Sequence, residues 1–474
     1  MIHGASDIKQ KARLSNKWLI LANVTFGTFM STLDASIANV ALPTISSDIG
    51  VPITIAQWVL TSYLLTICAI LPVMGKISDI FGRTRVYNYG FLLFAAGSAM
   101  CGLSESFGTL IVARVLQALG AASLMSNSQA IIAETFASGG RGRAIGITGT
   151  MVSLGALTGP GIGGILVDRL GWPSIFWINV PIGLIGFIVG LFILPRSGKQ
   201  RRVGPFDYIG SALFIAGSIS FLYTVSNGQA WGWSSAATIT GGAFAAALLT
   251  GFGLWERRTA NPMMDFTLYR VPAFAIGNVT AFLSFVAMFF TNVMMPFYMQ
   301  KVLGYSAELT GYTMMLYPLT MAVIAPFSGW LSDRIGSSLL TTLGLSVNAL
   351  GFGLLTTLST HESPWAVGLH LCLFGLGGGL FQSPNNSSVL GSVPPAKLGT
   401  AGGLNALVRN VGMVLGTSFS VSLYSTRLYH LSDGSPAPAA EAMMASLHTV
   451  FWTAMGICLL ALLVSTRRLF IQKI

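Results

Sequence analysis

The sequence predicts an all-α membrane protein. Three observations carry that prediction: a shortage of charge, apolar runs of membrane-spanning length, and basic residues gathered on one side of those runs. Only 41 of 474 residues are formally charged, 26 Lys+Arg against 15 Asp+Glu, or 9%, where a globular chain carries roughly 25%. Apolar residues make up 53% before the 55 glycines are counted, and mean hydropathy is +0.70. So few charges cannot cover the surface of a soluble protein of this length, so lipid is the main solvent. Backbone polar groups in lipid must be bonded within their own segment, which makes the spans helical.

Apolar runs of about 20 residues fall near 18–41, 54–75, 86–104, 107–131, 144–167 and 173–194. They continue at 206–226, 235–255, 273–297, 309–330, 337–358, 364–390, 400–425 and 447–466, giving fourteen. The first run follows Lys9, Lys11, Arg13 and Lys17 and is too long for a signal-peptide core, so it reads as a retained span. With both termini cytoplasmic, the cytoplasmic segments hold 21 of the 26 Lys+Arg. Arg169, Lys301 and Arg427 fall outside, and Arg114 and Arg409 lie within spans. This is the positive-inside asymmetry. It accounts for the net charge of +11 without a nucleic-acid surface. Cys68, Cys101, Cys372 and Cys458 lie in apolar stretches without CxxC spacing and read as small buried hydrophobes.

The chain repeats itself. Shifted by 254 residues, YLLTICAILPVMGKISDIFG from Tyr63 aligns with YPLTMAVIAPFSGWLSDRIG from Tyr317, identical at nine of twenty positions. Pro72/Pro326, Gly75/Gly329, Ser78/Ser332, Asp79/Asp333 and Gly82/Gly336 are shared. The expected organisation is a cytoplasmic segment 1–17, a six-helix bundle over 18–200, two inserted helices over 201–258, and a second six-helix bundle over 259–474. Parallel repeats of this kind place a substrate site between the halves near mid-membrane.

At these residues the chain resembles the major facilitator superfamily. GKISDIFGRTR, Gly75 to Arg85, is similar to that family's loop motif between its second and third helices. LDASIANVALP (Leu33 to Pro43), Arg114 with Gln117 and Gly120, and GALTGPGIGG (Gly155 to Gly164) resemble motifs of its first, fourth and fifth helices. With WPSIFWINVPIG (Trp172 to Gly183) and RNVGMVLG (Arg409 to Gly416), they point to the fourteen-span drug:proton antiporters of QacA/EmrB type. The resemblance implies the major facilitator fold, two pseudo-symmetric bundles plus two inserted helices. It also implies proton-driven export of lipophilic, cationic compounds across the cytoplasmic membrane, with export of a physiological metabolite as the rival.

Of fifteen acidic residues, only Asp34 falls inside a span, and an intramembrane carboxylate is a functional hypothesis by default. Burial favours its neutral form and a nearby cation its charged form, so a small movement can switch it. Asp34 and Arg114 each lie about seven residues from the outer end of their helices, roughly 10 Å deep at 1.5 Å per residue, so they can pair. The resemblance implies a proton-linked role for both. Arg409 has no evident acidic partner and reads as a structural cation bonded to carbonyls or polar side chains.

At the cytoplasmic ends, Gly75, Asp79, Gly82, Arg83 and Glu134 form a second constellation. The resemblance implies that it latches the outward-open state, with Asp79 facing a helix N-terminus of the other half. Asp333 repeats the acid, but Ser337 stands where Arg83 would recur. Gly155, Gly159, Pro160, Gly163 and Gly164 read as a small-residue face sealing the fifth helix against the other half. Besides Asp34, a broad cargo pocket draws its candidates from Phe26, Trp58, Tyr63, Phe285, Phe289, Met295, Tyr312 and Tyr317, because rings attract cations and methionine adapts its shape.

No GxxxxGK[S/T] is present, which argues against ATP hydrolysis. No nucleophile with a base and no HExxH pattern supports an intramembrane enzyme. The chain reads as a functional monomer, without metal or cofactor, whose partners are protons, small molecules and the bilayer. It is silent on any adaptor protein.

Overall fold

The computed structural model describes residues 2–136, 141–195, 206–259, 262–394, 397–432 and 439–471. The basic runs expected at 196–202 and at 473 lie outside the described residues, as do the side chains of 2–16, 141–143 and Asp333. The first half comprises α1 (Ile2–Ile49), α2 (Ile53–Ala56), α3 (Trp58–Phe81), α4 (Arg83–Gly102), α5 (Phe107–Thr135), α6 (Arg141–Leu170), α7 (Ser174–Trp177) and α8 (Asn179–Ile193). Then come α9 (Tyr208–Trp231) and α10 (Ala236–Glu256), and α11 (Pro272–Phe297), which runs into a π turn at Tyr298–Val302. The chain ends with α12 (Ala307–Ile335), α13 (Ser337–Leu355), α14 (Pro364–Gly391), α15 (Leu398–Leu431) and α16 (Ala440–Ile471).

Among the described residues eleven helices are long and apolar enough to cross a membrane, the short α2 and α7 counting with the helices they lead into. The expected count of fourteen would add α1, α4 and α6. Each of these is diluted by other residues: Asn, Thr, Ser and Asp in α1, Arg83 and Arg85 at the head of α4, and eight glycines in α6. All three are long and packed among the others, α1 on α6 and α4 on α5 and α8.

Serines start several helices by accepting a backbone N–H three residues on: Ser106 on Thr109, Ser235 on Thr238, Ser306 on Leu309 and Ser363 on Ala366. The repeat recurs in the backbone. Gly82 and Gly336 end α3 and α12 at φ 98° and 88°, with their N–H groups bonded to Ser78 and Ser332 carbonyls at 2.9 and 3.0 Å. The hydroxyls of Ser78 and Ser332 turn back onto Gly75 and Gly329. Only glycine adopts that conformation cheaply, so the shared glycines follow from a shared sharp turn.

The two halves meet along α6 with α12 and α3 with α15. Their hydrogen bonds gather at the end of the bundle where α1 finishes and α12 begins, here the distal end. There Gln300 donates to the Val40 carbonyl at 3.1 Å and the Lys301 ammonium meets the Ser47 hydroxyl. The inserted pair α9–α10 packs on one seam. The Trp58 and Tyr223 rings meet tilted, with centres 5.4 Å apart, and the Ser226 and Ser418 hydroxyls meet at 2.6 Å.

Gly82→Ala forces a Cβ onto a positive-φ backbone, at a cost of about 1–3 kcal/mol. Its unfolding temperature in detergent falls clearly below that of Gly75→Ala, where a Cβ meets nothing within 4 Å.

Candidate functional site

The site begins with a tight helix crossing. A Cβ on Gly97 of α4 would strike the Gln117 backbone, and one on Gly120 of α5 would strike the Phe94 backbone. The two helices therefore touch main chain to main chain, and Ser98 and Cys101 come beside Gln117. On the next face of α5, Arg114 points to α1 and meets Asp34.

The Arg114 Nη1 to Asp34 Oδ2 distance is 2.8 Å, and both residues are 0% exposed. The other carboxylate oxygen, Oδ1, accepts from the Gln117 and Asn179 amides at 2.8 Å each. Arg114 also donates to the Gln117 carbonyl oxygen at 2.6 Å and, through Nε, to the Val59 backbone oxygen at 2.9 Å. Gln117 donates its second amide hydrogen to Ser98 at 2.7 Å. The guanidinium lies 4.2 Å from the Tyr63 ring centre and 5.5 Å from that of Phe176. The ionised carboxylate thus accepts three donors, and the cation keeps neutral acceptors that remain if Asp34 gains a proton. Such a site can hold a proton and move a cation.

Sequence reasoning paired Asp34 with Arg114 but assigned no role to Asn179 or Gln117. Both stand in the quoted motifs. An amide inside an apolar span is the signal that finds them, since it must be bonded.

At the opposite end from the distal one, Arg83 bonds Asp79 at 2.9–3.0 Å and Glu134 at 2.6 Å, tying α3, α4 and α5 together. Glu134 is 63% exposed, so this unit contributes little stability. Asp79 was expected to face a helix N-terminus of the other half. Among the described residues its partner is Arg83, on its own half, because the halves are held together at the other end. That end has a cap of the expected kind, supplied by a residue the sequence reading passed over as loop charge. Asp168 of α6 accepts the N–H groups of Ala307 and Glu308, the first two residues of α12, at 3.1 and 2.8 Å, and Arg169 lies 3.7 Å from Glu308.

The five motif residues of α6 divide between two faces, a correction to the single seal expected. A Cβ on Gly155 would lie 2.8 Å from the Phe29 oxygen, and those on Gly159 and Gly163 would strike Ser36 and Ile37, all on α1 of the same half. Gly164 and the Pro160 carbonyl face α12 instead, against Ala307 and Gly311, with Gly161 against Met315. Residues four apart stack on one helix face, so 155, 159 and 163 form one stripe and 160 and 164 another.

The aromatic candidates do not form one pocket. Tyr63 belongs to the Arg114 site, Met295 is fully buried, and Trp58 is taken by Tyr223. Tyr312 is 47% exposed and bonds Glu308 at the distal end. Phe26 packs half-buried on the core, and Phe289 lies under Gly416. Tyr317 bonds the Met288 sulfur at 2.8 Å and lines a small hollow with Ser284, Asn348 and Phe374. Phe285 lies beside Arg409, at 5.7 Å. Among the described residues Arg409 makes no hydrogen bond, so the carbonyl or polar side-chain partners expected for it are not among them.

Two packed helical halves with eleven helices able to cross a membrane among the described residues, and a buried ion pair in the first half, give the frame of a multi-pass membrane protein. The Major Facilitator Superfamily model matches residues 24–417, and the chain belongs to that family. It is 33% identical to the riboflavin transporter RibZ of Clostridioides difficile, over 95% of this chain and 97% of that one. It is 34% identical to the multidrug resistance protein Stp of Mycobacterium tuberculosis, over 90% and 81%. A crystal structure of the peptide transporter POT in complex with sulfate shares the fold, with TM-score 0.67 and 17% identity over 94% of both chains.

Removing one partner of a buried ion pair costs about 3–5 kcal/mol. Arg114→Met therefore lowers the unfolding temperature in detergent steeply, and adding Asp34→Asn recovers much of the loss. Asp168→Ala removes a cap worth about 0.5–2 kcal/mol. Spin-label distances between the facing ends of α6 and α12 then show a larger population of separated ends.

Proposed function

We propose that the protein is a proton-coupled exporter of lipophilic small molecules, working by alternating access in the cytoplasmic membrane as a monomer. In this reading all fourteen long helices cross the bilayer with both termini in the cytoplasm. The segments 18–200 and 259–474 are the moving halves, 1–17 is a cytoplasmic segment, and 201–258 is inserted. The distal end then faces outward, and the described state is closed to the outside.

The observation that carries the reading is the Asp34–Arg114 pair, fully buried and made entirely of first-half groups. A proton arriving on Asp34 cancels its charge and releases Arg114 to the Val59, Gln117 and Tyr63 acceptors around it. On the same stretch of α1, Ser36 donates to the Gly155 carbonyl of α6 at 3.1 Å, and Ile37 seats Gly163. The other face of α6 carries Gly164 and Asp168 against α12. A shift of α1 caused by protonation thus reaches the outer closure through a single helix. Asp79, Arg83 and Glu134, with Asp333 in the second half, act as the latch of the opposite state.

Asp34 serves here as the proton carrier. A cationic cargo bound directly to it would have to displace three donors. Export of one physiological metabolite is the second reading, favoured by the name of the relative that matches over nearly the whole of both chains, a riboflavin transporter.

The test is uphill transport in proteoliposomes under an imposed pH gradient, with a panel of lipophilic compounds. The wild type accumulates cargo against its gradient and moves protons with it. Asp34→Asn loses both, leaving at most downhill exchange. Uphill transport that persists in Asp34→Asn would sink the coupling.

A further inference from the structure

Two arginines lie well inside the described spans, and they are treated in opposite ways. Arg114 ends on Asp34, Gln117 and the Val59 carbonyl. Arg409, half-buried on α15, has neither hydrogen bond nor ion pair among the described residues, and its Nε is sealed from solvent without a partner there. Its guanidinium carbon lies 5.7 Å from the centre of the Phe285 ring.

Among the described residues no acid forms an ion pair with it. Among the described residues the acids of the second half sit at helix ends or in loops, at Asp265, Glu308, Asp333, Glu362 and Glu441. Asn410 donates to the Ala406 carbonyl of its own helix at 2.9 Å, and Asn405 donates to Asn386 at 3.1 Å. One turn on, a Cβ at Gly412 would lie 2.9 Å from the Phe282 oxygen and 3.1 Å from the Phe285 Cβ. That close approach holds α15 on α11 and keeps Arg409 beside Phe285. α15, the helix that carries Arg409, also packs on α3 of the first half, and parallel-repeat transporters bind cargo between their halves.

An unpaired cation within the membrane is costly and marks a functional position. We propose that Arg409 is a cargo-binding residue that recognises an anionic oxygen group, a carboxylate or phenolate, on an aromatic molecule. The planar guanidinium matches such a group with two parallel N–H donors, and the buried Phe285 ring beside it makes the surroundings aromatic and apolar. A cargo anion supplies the charge the protein lacks, and a cationic cargo is repelled. The inference rests on the transport reading and names its cargo class. It also fixes the electrical sign: an anion leaving and a proton arriving both carry positive charge inward in sum, so a negative interior drives the exchange.

The test measures binding of three probes to the purified full-length protein: pyrenecarboxylate, its methyl ester and pyrenemethylammonium. The wild type binds the carboxylate about tenfold or more tightly than either other probe. Arg409→Gln abolishes that preference and leaves the affinity for the ester unchanged, whereas Arg409→Lys keeps part of the preference. No preference for the carboxylate, including no binding of any probe, overturns the proposal. So does an equal loss of ester and carboxylate in Arg409→Gln, which would mark a structural role. If that variant does not fold, the wild-type panel still decides. Uphill transport surviving Asp34→Asn overturns the coupling and leaves the charge preference standing. A pH-driven transporter that prefers the ammonium probe overturns this inference alone.

Discussion

The structure of the first half depends on one constraint: a carboxylate and a guanidinium that share a water-free interior must stay in contact. Each alone would cost several kcal/mol, and together they order five elements. Helix α1 brings Asp34, α5 brings Arg114 and Gln117, α3 supplies the Val59 carbonyl, α4 supplies Ser98, and α8 supplies Asn179. The glycine crossing of α4 and α5 serves this network, because only bare backbone lets Ser98 reach the Gln117 amide. The pair is therefore an anchor for the packing of the first half, and in the proposed function it is also the place where a proton acts.

The ends of the molecule answer that balance with the same chemistry used in different ways. A carboxylate at the foot of α6 caps the start of α12 and spans the halves, using the partial positive charge of exposed N–H groups. The acid at the end of α3 has turned to an arginine of its own half. A helix start can be capped or left to water, so in the proposed cycle each contact has a second setting. A second setting is what a molecule needs in order to visit two states.

The large features were legible in sequence because lipid makes polar groups conspicuous. Fifteen acids with one in a span single out Asp34, and the shared Pro, Gly, Ser and Asp positions reveal a repeat whose turns at Gly82 and Gly336 share one geometry. What was not legible is direction. A tyrosine or phenylalanine facing lipid and one facing a neighbour look alike in hydropathy, so Trp58, Met295 and Tyr312 entered one list and lie in three unrelated places. The glycines of α6 could have been sorted by their spacing of four. Asp168 gave no sign, since its importance comes from a helix start 139 residues further along the chain.

The inserted helices have a consequence for how the membrane itself meets the protein. Because α9 touches α3 through Trp58 and Tyr223 and α15 through the paired serines, it forms a wall along one of the two clefts between the halves. The clefts are thus unequal to a molecule dissolved in the bilayer. The other flank is bounded by α6 and α12, which pack directly on each other through Gly164 and Ala307, Pro160 and Gly311, and Gly161 and Met315. Two added helices thus make the two flanks of a repeated fold unlike one another.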